Sequence, residues 1–546
     1  MKILLAFPPL WSFNLAPMLS LPLLSGMLKK QGHDVEIMDI NSLFMNFVLS
    51  RDFLGYCNAH DQFLKRRITE LQKAPQTTKS LDLLMSYRSN FILLDNIRKK
   101  GLFSFLMNYP VAQRAIAESF SKQDSVVFEN NLSGLKLNLR NIFAQALKSG
   151  NALKQPFFYV WEQQIIKRIT DISPDLIGFS IYDDLQLDWT LNFAKELKKK
   201  SNAKIILGGT DISQRRNNLP ENIFDTVDII NYGEGEEVFS RIAKGTPLEN
   251  VPNIIFKDND GNIKTNDMKD SAENIFYKPN YKGIDFNQYF LPKPVLQIES
   301  SRGCYWHRCI FCTFMDCSKY KVKNVDALIE EIKEYVNVYN IRHFFFTDSA
   351  IHPNYARKFS EKLRENNLKI YYLTFLRLDK EFDEDLLKLM YDTGLRIAMW
   401  GVESGSERIL NMYDKGTEPV RNAKIINTAH EIGIYNYCWL MTKFPKETKE
   451  DIDKTRDFLT QNYDAIDLVS FHEFTLMPTS PIEKRKQEFG LGNYNFKEIE
   501  VYNPPEEIND YANRLKQDMF YLYDKKIRKY PSDLSFILLK LSEEKP

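Results

Sequence analysis

Cysteine is scarce, with six in 546 residues. That is too few to staple a chain of this length, so a disulfide scaffold is excluded. An excess of either charge is missing too. Lys and Arg number 73 against 72 Asp and Glu, a formal balance of +1, so no global field draws the chain to nucleic acid or anionic membrane. No run approaches the ~20 consecutive apolar residues of a membrane-spanning helix. The apolar N-terminus is broken by Pro8, Pro9, Pro17 and Pro22, and no small-x-small cleavage pattern follows. A strand, loop and helix is therefore expected there rather than a signal peptide. These absences predict a cytoplasmic protein that partners neither nucleic acid nor membrane. Internal repeats and low-complexity tracts are also lacking, and no Ser-His-Asp or paired-carboxylate pattern marks a hydrolytic centre.

What is present begins as an alternation of strands and helices. Residues 2–7 read as a buried strand closed by Pro8-Pro9. A helix from about Leu19 to Lys30 follows, stopped by Gly32, and then a strand from Val35 to Met38. The pattern resumes with a strand at Asp175 to Ser180, a helix at Leu187 to Lys199 and a strand at Lys204 to Leu207. The last of these ends on Gly208-Gly209-Thr210, and a further strand, Asp228 to Asn231, ends on Tyr232-Gly233-Glu234-Gly235-Glu236. An α/β fold is expected, with a doubly wound, Rossmann-like parallel sheet over 1–41 plus 161–262. A hairpin around Asp258 to Asn262 closes that region.

Between the halves, 42–160 lacks clear strands. Ser80 to Arg98 and Leu135 to Ser149 carry helical spacing, so a helical insertion is expected there. Residues 263–290 read as a linker. From Val295 strands are expected at 295–300, 342–347, 370–376, 396–401, 434–441 and 467–475, with helices such as Val325 to Tyr339 and Asp383 to Tyr391 between them. The span 291–482 has room for about six βα units, short of the ~250 residues of an eight-fold barrel. A partial (β/α)6 barrel is expected there, then a charged helical region over 483–546.

Four of the six cysteines fall in one stretch: Cys304, Cys309, Cys312 and Cys317. The first three, in Gly303-Cys304-Tyr305-Trp306-His307-Arg308-Cys309-Ile310-Phe311-Cys312, form C-x4-C-x2-C directly after the first barrel strand. Three thiolates in a compact loop can hold three irons of a [4Fe–4S] cube and leave the fourth open. The end of a barrel strand is also where barrel active sites sit. The spacing matches a plant-type [2Fe–2S] ferredoxin as well, but that belongs in a small electron carrier. Adding Cys317 would allow structural zinc, and buried free cysteines are the remaining alternative.

The loop and the units after it resemble the radical S-adenosylmethionine (SAM) enzymes. The resemblance implies that Cys304, Cys309 and Cys312 bind a [4Fe–4S] cluster whose fourth iron is chelated by SAM. The family's usual first gap is one residue shorter, and branches with longer gaps include peptide-modifying enzymes with Cys-Trp-Trp where this chain has Cys304-Tyr305-Trp306. Further implied cofactor contacts are Phe311, Asp348 after Phe344-Phe345-Phe346-Thr347, Arg377, and Gly401, Glu403 and Ser404 of Gly401-Val402-Glu403-Ser404-Gly405. Asp414-Lys415-Gly416 matches the segment that follows. Phe444-Pro445-Lys446-Glu447-Thr448 resembles the family's Leu-Pro-Gly-Glu-Thr with Lys446 replacing glycine, which questions the tight turn. Cys317 is expected to be structural, with an auxiliary role as the alternative.

The N-terminal half resembles the cobalamin-binding domain that precedes many such barrels. Gly208, Gly209, Thr210, Gly233, Glu234 and Gly235 are the implied cobalamin contacts, since small residues at a sheet edge let a flat ligand approach backbone. No Asp-x-His-x-x-Gly is present, so no histidine is marked as a lower cobalt ligand. Together the resemblances imply a cobalamin-dependent radical SAM enzyme that cleaves SAM reductively and methylates an unactivated carbon. Its substrate would be a peptide or other small natural product, and its electron donor an external flavodoxin- or ferredoxin-like protein. The alternatives are radical oxidation, rearrangement or crosslinking without methyl transfer, and a non-catalytic, metal-stabilised binding protein.

Overall fold

The computed structural model describes residues 1–9, 16–48, 156–269, 276–289, 291, 293–313, 319–477, 480–494 and 500–527, with 538, 540, 541 and 544 beyond them. The chain forms two compact units. The first comprises Met1–Ile212, Pro220–Asp267 and Asn280–Pro292; the second comprises Ser213–Leu219, Met268–Pro279 and Lys293–Pro546. No helix among the described residues is long and apolar enough to cross a membrane.

In the first unit the elements are β1 (Lys2–Phe7), α1 (Ser20–Lys30), β2 (Asp34–Asp39), α2 (Ile40–Val48), α3 (Pro156–Ile172), β3 (Leu176–Ser180) and α4 (Asp184–Lys198). β4 (Lys204–Gly208), α5 (Thr210–Gln214), β5 (Ile229–Asn231), α6 (Gly235–Ala243), β6 (Ile254–Lys257) and β7 (Ile263–Thr265) follow. The sheet order is β2-β1-β3-β4-β5-β6-β7. The first five strands run parallel and the last two close the edge as an antiparallel hairpin. Strand order therefore reverses at β1/β3, where open α/β sheets place ligands. β1 and β3 read as unbroken apolar runs because helices cover both faces of a parallel sheet, and from Ile3 to Phe7 and Leu176 to Ser180 every residue is buried. The expected hairpin is formed by β6 and β7, and because the Asp258 turn returns the chain onto β6, the stretch expected as a linker from 263 begins with the paired residues Ile263–Thr265. The expected insertion is entered from α2 and left through α3; Ser80 to Arg98, Leu135 to Ser149 and Cys57 lie outside the described residues.

The second unit opens with β8 (Val295–Ile298) and a short antiparallel ladder of β9 (Ser301–Arg302) with β10 (Lys321–Val322). α7 (Val325–Tyr339), β11 (His343–Phe346), α8 (Pro353–Glu365), β12 (Tyr371–Leu376), α9 (Glu384–Asp392), β13 (Leu395–Glu403), α10 (Glu407–Met412) and α11 (Pro419–Ile432) continue it. β14 (Tyr435–Thr442), α12 (Lys449–Gln461), β15 (Leu468–Glu473), β16 (Thr475–Leu476), α13 (Pro481–Lys484), β17 (Glu500–Val501) and α14 (Glu506–Ile527) complete it. Six strands form one parallel sheet in the order β15-β14-β13-β12-β11-β8. This is the expected six-unit partial barrel.

Local chemistry sets its helix ends. Asn324 caps α7 by accepting from the Ala327 N–H, and Asn340 ends it in the left-handed conformation. Thr448 and Asp451 form a reciprocal capping box on α12.

Candidate functional site

The cysteine loop leaves β8 and returns toward β10. Cys304, Cys309 and Cys312 are half-buried, and the Cys312 N–H donates to the Cys309 carbonyl at 3.1 Å. Among the described residues no three His, Cys, Asp or Glu side chains could hold a single metal ion. Cys317 lies outside the described residues.

Two aromatic residues of the loop anchor it. The Tyr305 hydroxyl donates to Asp379, and Trp306 Nε1 donates to the Asp414 carbonyl at 2.7 Å. Arg377 is buried. Its guanidinium lies 4.3 Å from the Trp306 ring centroid, contacts Asp379 at 3.3 Å and donates to the Lys415 carbonyl at 2.7 Å. Tyr305 and Trp306 thus serve the protein's own loop, and their resemblance to a peptide-modifying motif says nothing about substrate.

β13 bulges between Gly401 and Glu403, and Glu403 adopts φ 63°. Its carboxylate pairs with buried Lys415 at 2.7 Å. A Cβ on Gly401 would stand 2.9 Å from both charged ends, so glycine is needed to make room for that pair. Burial pushes the Cys309 thiol pKa up, against the opposing charges of Lys415 and Arg377. Burial works against the Lys415 ammonium, but Glu403 and Cys309 outweigh it and leave its pKa above the ordinary value. Lys415 is the residue that sequence reasoning missed. Its Asp-Lys-Gly segment was visible, but the bulge that brings Glu403 to it was not.

Asp348 and Ser404 have other duties. Asp348 accepts from the Ser300 N–H at 3.0 Å and from the hydroxyls of Ser300 and Ser301 at 2.7 and 2.5 Å. Burial raises its pKa to about 6 in spite of those bonds. The Ser404 hydroxyl meets Thr455 Oγ1 at 3.2 Å and accepts from the Ser406 N–H at 3.0 Å. Phe311 packs edge-to-face on Tyr413, 5.2 Å between centroids. The turn questioned at Lys446 is present, since Lys446 takes φ 68° and so keeps the left-handed conformation a glycine would adopt. It is held by Glu447, whose carboxylate accepts from the Lys443 N–H at 2.6 Å, and burial raises the Glu447 pKa to about 8.

The small residues of the first unit stand at the C-terminal edge of its sheet. Gly208 closes β4, Thr210 opens α5, and Glu234 precedes α6, which starts at Gly235. Gly209, at φ 108°, is demanded by the protein itself, because a Cβ would fall 2.3 Å from the Ile181 carbonyl oxygen. Gly233, at φ 80°, differs: nothing lies nearer than 4.0 Å to the place a Cβ would take. Around the β1/β3 reversal Ser20 and Ser180 hydroxyls meet at 3.1 Å, and Gln186 Nε2 donates to the Pro8 carbonyl at 2.8 Å.

Residues 298–459, within the second unit, match the sequence profile of the Radical SAM superfamily, so the second unit contains a radical SAM domain. The domain implies SAM and a [4Fe–4S] cluster, and three half-buried thiols in one loop, with buried Lys415 and Arg377 acting on Cys309, suit a cluster of negative charge. Over 341 residues the chain is 25% identical to an uncharacterised methyltransferase of Pyrococcus horikoshii, covering 60% of this chain and 72% of that one. It is 25% identical over 365 residues to the anaerobic magnesium-protoporphyrin IX monomethyl ester cyclase of Cereibacter sphaeroides, covering 62% of this chain and 58% of the relative. The match therefore spans less than two thirds of the cyclase. In three dimensions the chain is similar to the radical SAM methyltransferase TsrM from Kitasatospora setae, solved with cobalamin and a [4Fe–4S] cluster bound. The TM-score is 0.56 at 14% identity, covering 89% of this chain and 74% of that one, a likeness of fold.

Proposed function

We propose that this protein is a cobalamin-dependent radical SAM enzyme that methylates an unactivated carbon of a peptide or other natural-product substrate. Its electron donor would be an external flavodoxin- or ferredoxin-like protein. The observation that carries the reading is the C-x4-C-x2-C loop at the end of β8, in a chain whose first unit is a parallel sheet with a glycine-built edge. When bound, the cluster and SAM supply a hydrogen-abstracting radical, and methylcobalamin the methyl group.

The chain's own residues bind and orient. Cys304, Cys309 and Cys312 would hold three irons. Glu403, Gly401, Arg377 and Phe311 would face SAM, while Asp348 and Ser404 shape that face through the Ser300–Ser301 turn and α12. Gly208, Gly209, Thr210, Gly233, Glu234 and Gly235 would border the cobalamin. A second reading, radical chemistry without methyl transfer, is supported by the similarity to a cyclase.

The test is anaerobic: reconstitute the protein with iron and sulfide, add reductant and SAM, and quantify 5′-deoxyadenosine with and without cobalamin. Its formation supports radical SAM chemistry, and cobalamin-dependent S-adenosylhomocysteine beside it selects methyl transfer over the second reading. A cluster that yields neither product would sink both and favour a metal-stabilised binding protein.

A further inference from the structure

The segment from Tyr413 to Gly416 is sewn to the cysteine loop at several points. The Ile310 N–H donates to the Tyr413 carbonyl at 3.0 Å, Trp306 Nε1 to the Asp414 carbonyl, and Arg308 pairs with Asp414 at 2.9 Å. Gly416, at φ 73°, lies so close under the Trp306 ring that a Cβ would come within 2.1 Å of it. The backbone of Lys415 therefore has a fixed place relative to Cys309. Its side chain is 7% exposed and pairs with Glu403, beside residue 401, which has no Cβ.

That arrangement is costly. Two charges are largely taken out of water, and Glu403 is held in a left-handed conformation that is strained in a non-glycine residue. A buried ion pair is weak evidence of stabilisation, because apolar replacements of similar volume are often as stable. The geometry points to what it does instead. The cysteine loop is bound to the segment on both sides of Lys415 through the Ile310 N–H and Trp306 Nε1, and Arg377, which lies over Trp306, donates to the Lys415 carbonyl at 2.7 Å. Arg377 is balanced locally by Asp379.

We propose that Lys415 is a positioning residue that raises the reduction potential of the iron–sulfur cluster, with Glu403 opposing it. The inference rests on the cluster reading above. A cluster on three thiolates gains one negative charge when an external donor reduces it, so a nearby buried cation stabilises the reduced form more than the oxidised one. Net charge and hydrogen bonding around the sulfurs are among the determinants of such potentials. The carboxylate paired with it does the reverse. The pair thus gives the site two handles of opposite sign.

The experiment is a mediated redox titration followed by electron paramagnetic resonance, on the full-length reconstituted protein without SAM. It compares wild type with Lys415→Met, Lys415→Arg, Glu403→Gln and the double variant Lys415→Met/Glu403→Gln, each with its iron and sulfide content. Lys415→Met is expected to lower the reduced-to-oxidised ratio about tenfold at fixed potential, a shift of about 59 mV for one electron. Lys415→Arg should stay near wild type, Glu403→Gln should move the other way, and the double variant should fall between the singles. If Lys415→Met fails to hold a cluster, Glu403→Gln and the double variant carry the test. A cluster present in the variants with unmoved midpoints overturns the proposal. A wild-type protein that assembles no cluster at all overturns the reading beneath it instead.

Discussion

The two units end their parallel sheets in opposite ways. At the barrel end, charged groups are buried against one another: Glu403 with Lys415, Glu299 with Arg302, and Asp379 with Arg377. At the edge of the first sheet the partners are mainly neutral, with Ser20 on Ser180, Gln186 on the Pro8 carbonyl and Asn231 on the Asn253 carbonyl, and the carboxylate that ends β2, Asp39, accepts from the Ser42 N–H and the Tyr289 hydroxyl rather than pairing with a cation in these bonds. Charge in low dielectric gives strong, directed fields at a desolvation cost. Hydroxyls, amides and bare backbone give shape and hydrogen bonds without a field. The barrel end therefore carries opposed charges close to the cysteine loop, and the edge of the first sheet offers mainly hydroxyls and amides.

The largest expected effect tests whether the neutral edge depends on backbone contact. Gly209→Ala puts a Cβ 2.3 Å from the Ile181 carbonyl oxygen and 2.6 Å from its nitrogen, on a residue at φ 108°. Backbone must move, so a loss of about 3 kcal/mol is expected in urea unfolding. Gly233→Ala, where nothing crowds the added methyl, should lose less stability while weakening cobalamin retention. Equal losses for both would mean that the edge is merely a tight turn.

A second, smaller effect concerns the buried acids. Glu162 in the first unit has no cation partner among its described contacts; it accepts from Trp189 Nε1 at 2.8 Å. Burial raises its pKa to about 7, against that hydrogen bond and with Glu196 adding to it. A carboxyl raised on folding binds its proton more readily in the native state than in the unfolded chain. Between about 4.5 and 7 the unfolded chain therefore holds fewer protons, and stability falls as pH rises through that window, then levels. Glu162→Gln should remove this part of the slope and raise stability at pH 8 by roughly 2–3 kcal/mol. The check is unfolding free energy against pH for both proteins. A difference that does not change between pH 4.5 and 8 would show that the carboxyl is not desolvated as the contacts indicate.

Much of this was legible in the sequence, for physical reasons. Strands of a covered parallel sheet are continuous apolar runs between glycine and proline, so β1, β3 and β4 could be placed to within a residue or two. The barrel strands were equally visible, and the cysteine loop declared itself by spacing. What stayed hidden was set by partners distant in sequence. Asp348 is bound by Ser300 and Ser301, 48 and 47 residues away, and Ser404 by Thr455, 51 residues on. A strand-end polar residue looks the same in sequence whether it meets a cofactor or a neighbouring turn. Lys415 escaped for a similar reason, since its pairing depends on a bulge and on an absent Cβ twelve or more residues earlier.

Lys446 gives the finest comparison, between a family's glycine and the lysine that does its conformational work here. At φ 68° the lysine carries the left-handed penalty of about 1–2 kcal/mol that a glycine would not. Two things offset the gain from Lys446→Gly. Glycine has about 0.5–1 kcal/mol more backbone entropy to lose on folding, and the ammonium 5.5 Å above the Phe489 ring is removed. The net expectation is a stabilisation of only about 0.5 kcal/mol, with the turn unchanged, because Glu447 and Arg408 hold its backbone through the Lys443 N–H and the Lys446 carbonyl. Lys446→Ala separates the terms, since it keeps the strain and loses the ring contact, and it should be slightly less stable than wild type. If alanine matched glycine, the ring contact rather than the backbone would be setting the balance, and the tight turn would owe nothing to the residue at its corner.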